Sequence, residues 1–287
     1  MSATLLSPLS SALSACSSIQ SAVDTALADS GCYGLGNSDD RMSCFLNKAL
    51  VNVGGDLAQL VPGRVSTEVD ARLAYDTQGI VRKVHDLLKL YREIDVTPER
   101  LLFKIPSTWQ GIEASRLLES EGIQTHITFV YSFCQAAAAA QAGASVIQIF
   151  VGRLRDWARN HTGDPEVETA LRRGEDPGLA LILQSLKESV TPPDEKYSLM
   201  RRLSPQSAAS YKFSDEELVK WDQYSFASAM GPAAVELLAA GLDGYASQSR
   251  RVEELFVDCT TGTGIERDSL DWCCTVLDYY VAGVRVE

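Results

Sequence analysis

A lysine placed inside an apolar run is the first chemical signal in the chain. Lys104 stands within Leu101-Leu-Phe-Lys-Ile-Pro-Ser-Thr108, where a charge costs free energy unless it is paired or neutral. Desolvation favours the neutral amine, and a neutral amine attacks a ketone to give a Schiff base. The other fate of such a lysine is structural, either snorkelling from a strand end or pairing with Glu68. Glu68 has two readings as well, a carboxylate that activates a water or the ion-pair partner of Lys104. Arg153, directly after Gly152, has the side chain that grips phosphate through two parallel hydrogen bonds, and a surface salt bridge is its alternative.

The segments that must position these groups alternate between strand and helix patterns. Arg64 to Asp70, Leu101 to Ile105, Thr125 to Tyr131 and Ser145 to Val151 read as strands. Helical spacing marks Phe45 to Leu60, Gly79 to Glu93 and Phe133 to Gln141, and it resumes near Leu154. Another helix should start near Ser107, where Ser107 and Gln110 form an S-x-x-Q capping box. Side chains alternate across a strand. Ser66, Glu68, Lys104, His126, Thr128 and Gln148 therefore fall on polar faces, opposite Val65, Phe103, Ile105, Ile127, Phe129, Ile147 and Ile149.

Four strand–helix alternations with short connections between Val65 and Ala158 imply a parallel sheet with crossover helices. The absence of G-x-G-x-x-G after a strand favours a barrel over a dinucleotide-binding sheet. In a barrel the polar faces meet inside, with the active site at the carboxyl ends of the strands. Beyond residue 163 the rhythm stops. Asp164 to Asp176 reads as a charged loop, and no comparable strand is expected after residue 160. Helices are expected over Leu218 to Ala227, behind a Ser214/Glu217 capping box, and over Pro232 to Ala240 and Gln248 to Phe256. Three regions follow: a Ser/Gly-rich segment 1–40, an α/β domain 41–256 and an atypical tail 257–287.

Composition bounds the partners. The 287 residues are 45% hydrophobic and 22% charged, which excludes wholesale disorder. A net charge of −12 argues against binding nucleic acid or an anionic membrane. A local arginine cluster can still hold a small phosphorylated substrate. No run reaches the 18 or so apolar residues that a membrane span requires. Three histidines without ligand spacing make a metal site unexpected. The seven cysteines are odd in number, and only Cys273–Cys274 are adjacent. A reducing compartment without disulfide staples is the expectation, the cytoplasm first. The Ser-rich, acid-free first 20 residues offer the plastid as an alternative.

Three stretches resemble one family. Gly63-Arg-Val-Ser-Thr-Glu-Val-Asp-Ala-Arg-Leu73 is similar to the signature segment of transaldolases. Lys104-Ile-Pro-Ser-Thr-Trp-Gln-Gly-Ile112 resembles their Schiff-base segment, and Phe150-Val-Gly-Arg-Leu-Arg-Asp-Trp157 their phosphate-binding stretch. Ser204-Pro-Gln-Ser and the helices after it resemble the family's C-terminal part.

The resemblance implies a TIM-type (β/α)8 barrel and a pentose phosphate pathway transferase that needs no cofactor. It would move a dihydroxyacetone unit from sedoheptulose 7-phosphate to glyceraldehyde 3-phosphate, giving erythrose 4-phosphate and fructose 6-phosphate. By position, Lys104 would form the Schiff base, Glu68 would orient the catalytic water and Thr128 would share it. Ser66, Phe150 and Arg153 would contact substrate, Arg153 at the phosphate. His126 stands where the family has asparagine and Gln148 where it has serine, and both are placed in the substrate site. The family's opening Asp strand, its Thr-Asn-Pro strand and its last two strands have no evident match. The expected form is therefore an incomplete barrel of four strand–helix units with a helical C-terminal part. The alternatives are an inactive abbreviated member and a Schiff-base aldolase. A homodimer is left open.

Overall fold

Asn37 caps the first long helix, α1 (Ser38–Leu60), through a bond from Asp39 N, and Asp39 and Asp40 complement the dipole of its first turn. The computed structural model describes residues 20–174, 176–182, 221–261 and 284–286. From α1 the chain runs through β1 (Val65–Glu68), α2 (Thr77–Glu93), β2 (Leu101–Pro106) and α3 (Trp109–Ser120). It continues through β3 (Thr125–Val130), α4 (Phe133–Gln141), β4 (Val146–Ile149) and α5 (Val151–Asn160). Then come α6 (Pro165–Arg172), α7 (Gln223–Ala229), α8 (Gly231–Thr261) and β5 (Val284–Val286).

The sheet order is β4-β3-β2-β1-β5, with β1 to β4 parallel and β5 antiparallel on β1. Four parallel strands with crossover helices are half of the eight that a closed barrel needs. One face packs Val65, Leu101, Phe103, Ile105 and Ile127 against α1, α2 and α3. Gly54 makes the α1–α2 approach feasible, because a Cβ there would lie 1.9 Å from the Tyr91 hydroxyl. That hydroxyl is 2.6 Å from Thr67 Oγ1, which satisfies both groups inside the core.

Several expectations are corrected. Thr108, not Ser107, caps α3, its hydroxyl accepting from Gly111 N. Ser107 instead spends its hydroxyl on Phe129 O at 2.7 Å. The expected loop 164–176 contains α6, because Asp164 caps it at Glu166 N and Val167 N and Glu168 pairs with Arg172 one turn on. Its signal is in caps and charge rather than in apolar spacing. A strand does follow residue 160, namely β5, whose three residues are too few to show alternation. Pro232–Ala240 and Gln248–Phe256 are parts of the single helix α8. The Ser214/Glu217 box and Cys273–Cys274 lie outside the described residues.

The N-terminal segment and the cysteines also differ from expectation. Residues 20–27 are helical, and Ala22, Val23, Ala26, Leu27 and Cys32 join the same core as Phe45 and Leu50. The core therefore runs across residue 40. Cys32 and Cys44 form a disulfide that ties this segment to α1, with Cα atoms 5.6 Å apart. Close folding of the segment onto α1, invisible in the cysteine count, brings the two thiols together.

Helix α8 crosses the carboxyl ends of the strands, touching α1, β3, α5 and the turn after β1. Arg72, in that turn, donates to both oxygens of Asp70 and both of Glu253 on α8. Burial pushes the Asp70 carboxyl up, but the Arg72 hydrogen bonds outweigh it and hold the group below the usual carboxylate range. A depressed carboxyl contributes stability above its unfolded pKa, and the contribution is lost as pH falls through the folded value. Arg72→Ala should cost about 1 kcal/mol at pH 7, the clasp being partly exposed. That cost should shrink as pH falls through the folded Asp70 value, below the usual carboxylate range, read from urea midpoints of both proteins at pH 7 and in acid.

Candidate active site

Opposite the helix-facing side, the strands of the parallel sheet present a polar surface. The register sets Glu68 level with Lys104, and Lys104 level with His126. Lys104 Nζ lies 3.1 Å from Glu68 Oε2, with the lysine side chain 1% exposed and the glutamate 10%. Ser66 Oγ lies 2.8 Å from His126 Nδ1, and His126 Nε2 lies 3.1 Å from Gln148 Oε1. Thr128 Oγ1 donates to the same Gln148 oxygen at 3.3 Å. Six of the eight residues singled out from the sequence thus gather on one face of β1 to β4.

The remaining two stand at the carboxyl ends. Phe150 is the N-cap of α5 and packs on Phe129 and Tyr131 with ring centroids 5.5 and 5.7 Å apart. Arg153 is exposed in the first turn of α5, where free N–H groups and the helix dipole favour an anion. Its charge reaches Tyr131. Burial pushes the Tyr131 phenol up to about 12 while Arg153 pulls it down.

A kink in β3 shapes the floor of this surface. The β3–β4 register shifts between Ile127 and Val130, and Phe129 adopts φ 60°. The bulge turns Phe129 away from Ile127, so Val130 rather than Phe129 completes the helix-facing core. This corrects the simple alternation expected for β3. A left-handed aromatic residue is strained by about 1–3 kcal/mol, and the buried Gln135 holds it. Gln135 Oε1 accepts from Tyr131 N at 2.9 Å and Ser132 N at 3.0 Å. Its amide nitrogen donates to Ser107 Oγ at 2.7 Å and Ser107 O at 3.1 Å.

Sequence reasoning missed the contribution of α8. The Tyr245 ring lies 5.6 Å from Lys104 Nζ and meets Phe129 edge-on at 5.4 Å. Gly241 allows this seating, since a Cβ there would come within 2.9 Å of the Phe129 ring. Glu68, Asp70, Tyr245 and Ser249 help to line a cavity of ≈ 10 Å³, about the room of one water. A larger cavity of ≈ 390 Å³ lies between α5, α6 and the start of α8, and Tyr131 is on its wall. Asp164 and Glu166 also line it, which disfavours phosphate there. Among the described residues no cluster of His, Cys, Asp and Glu could hold a metal ion. No single described helix is long and apolar enough to cross a membrane.

The family model "Transaldolase/Fructose-6-phosphate aldolase" matches residues 11–191, well over half of the chain. The chain belongs to that family. A transaldolase of Pseudoalteromonas atlantica is 47% identical over 146 residues, 51% of this chain and 45% of that protein. Transaldolase B of Pasteurella multocida is 46% identical over 138 residues, 48% of this chain and 42% of that protein. A transaldolase of Actinobacillus succinogenes is 42% identical over 167 residues, 57% of this chain and 50% of that protein. The chain spans about half the length of the curated relatives it matches. The family's fold is a TIM barrel, and the four parallel strands described here are consistent with an incomplete one.

Proposed function

We propose that the chain carries a transaldolase-type site in which Lys104 forms a Schiff base with a ketose phosphate. The observation that supports this most directly is the buried Lys104–Glu68 pair, whose carboxylate borders a cavity with room for about one water. In the proposed reaction Lys104 gives up a proton, its Nζ attacks the C2 ketone, and the carbinolamine loses water to give the iminium. The bond between C3 and C4 then breaks, its electrons flowing into the iminium to form an enamine. A water held by Glu68 and Thr128 delivers the proton with which the carbinolamine hydroxyl leaves and later takes the C4 hydroxyl proton, and an aldose phosphate departs. The enamine attacks an acceptor aldehyde, and water returns the lysine. Arg153 at the α5 N-terminus would hold the phosphate, with Phe150, Ser66, His126 and Gln148 around the sugar. The pentose phosphate pathway and a cytoplasmic or plastid location belong to the same proposal.

A second reading, a barrel remnant without turnover, draws on two observations. Lys104 is 1% exposed, and the cavity that its partner Glu68 borders is far smaller than a sugar phosphate. Substrate could enter only if the Tyr245 region of α8 moves. Borohydride reduction in the presence of fructose 6-phosphate, followed by mass spectrometry of the Lys104 peptide, separates the two. A sugar adduct on Lys104, absent in Lys104→Ala, is the expected result. No adduct on folded protein would leave only the remnant. Dependence of product on an added aldose phosphate then distinguishes a transferase from an aldolase.

A further inference from the structure

His126 is fully buried, and its two ring nitrogens are spoken for by different strands. Ser66 on β1 meets Nδ1, and Gln148 on β4 meets Nε2. A neutral imidazole has one donor and one acceptor. The Gln148 carbonyl oxygen only accepts, so Nε2 carries the proton, Nδ1 accepts and the Ser66 hydroxyl donates. The same oxygen also takes the Thr128 proton. Thr128 is thereby fixed as a donor to Gln148, and its lone pairs remain for another donor. By register Thr128 is level with Pro106, two residues along from the Lys104–His126 step.

We infer that His126 is a positioning residue, held as the neutral Nε2–H tautomer, that acts through Gln148 to orient the Thr128 hydroxyl as an acceptor for a water shared with Glu68. The role deepens the proposed Schiff-base reading and rests on it. A free carboxamide and a free hydroxyl each sample several rotamers, and locking them in advance removes that cost from the reacting complex. The chain of bonds also gives a physical reason for His126 and Gln148 to occur together. A histidine spans the wide gap from β1 toward β4, and only an acceptor at its far end keeps the proton on Nε2.

The test uses the whole chain and has two arms. Long-range proton–nitrogen correlation of the three histidine rings, with His126 assigned from a His126→Phe sample, reads the tautomer directly. An Nε2–H ring with Nδ1 unprotonated is expected. An Nδ1–H ring would reverse every bond in the chain, make Thr128 the acceptor of a Gln148 N–H, and overturn the inference. In the second arm, the rate of borohydride-trapped fructose 6-phosphate adduct on Lys104 should fall about tenfold or more in His126→Phe and in Gln148→Leu. The fall in rate should exceed any rise in the half-saturating sugar concentration, since the orientation of a water acts on the reacting complex while sugar contacts at these residues act on binding. Gln148→Glu, which keeps the acceptor oxygens, should recover most of the rate. Equal rates in Gln148→Leu and the parent chain would overturn the positioning role. No adduct in the parent chain would instead sink the Schiff-base reading, while the tautomer arm still decides the proton chain. Ser66→Ala, which deletes only one hydroxyl, covers the case where the larger replacements fail to fold, with the same expected slowing.

Discussion

Gln135→Leu should lower the unfolding free energy by about 3 kcal/mol or more, one of the two largest losses expected near the site. The side chain is fully buried and bonds through both ends of its amide. Leucine fills a similar volume but strands the Tyr131 and Ser132 N–H groups and takes a donor from Ser107. Each buried group left unsatisfied costs about 1–3 kcal/mol. The strain at Phe129 then has less to oppose it, and the bulge should relax. Urea denaturation gives the magnitude. Hydrogen exchange at the Tyr131 amide gives the location, and protection there should drop more than across α1. A loss below about 1 kcal/mol, with Tyr131 still protected, would show that the bulge is held by packing of Phe129 on Tyr131, Phe150 and Tyr245 instead.

The contrast between Gln135 and Lys104 shows what a sequence exposes and what it hides. A charge inside Leu101–Ile105 breaks an apolar pattern and is visible without any fold. The alternation in β1 and β2 is likewise local, and it places Ser66, Glu68 and Lys104 on one face as the structure has them. Gln135 gives no such signal, because one polar residue near the start of an Ala-rich helix reads as surface. It becomes a hub only once β2 and β3 bring Ser107 and Phe129 to it. The Phe129 bulge defeats period-two reasoning for the same reason, since a bulge is set by neighbouring strands and not by its own residues. Tyr245 is more than 100 residues from Lys104 in sequence and arrives through the course of α8. The antiparallel pairing of β5 on β1 also depends on distant chain meeting, and the Cys32–Cys44 bridge, across a separation of 12 residues, depends on how the N-terminal segment folds onto α1. Local chemistry was legible, and tertiary placement was not.

Glu68→Ala and Lys104→Met should have unequal effects on stability, although they break the same pair. Removing Glu68 takes away the carboxylate 3.1 Å from an ammonium whose side chain is 1% exposed. Deleting one partner of a buried ion pair costs about 3–5 kcal/mol, because the other charge stays desolvated. Tyr245 offers that ammonium a ring face at 5.6 Å, which offsets only part of the loss. Lys104→Met removes the deeply buried charge itself and replaces it with an apolar chain of similar length. Glu68, 10% exposed and bordering the small cavity, keeps access to water. Replacing buried charge by well-packed apolar groups is often neutral or stabilising, so Lys104→Met should stay within about 1 kcal/mol of the parent or exceed it. Urea midpoints of the two variants and of the double variant decide the matter. A Lys104→Met protein more stable than its parent would mean that the lysine is kept at a thermodynamic cost, as expected of a residue retained for chemistry. Equal losses of about 3 kcal/mol in both variants would make the pair a structural bridge, and the barrel-remnant reading would then account for the burial of Lys104 without any reaction.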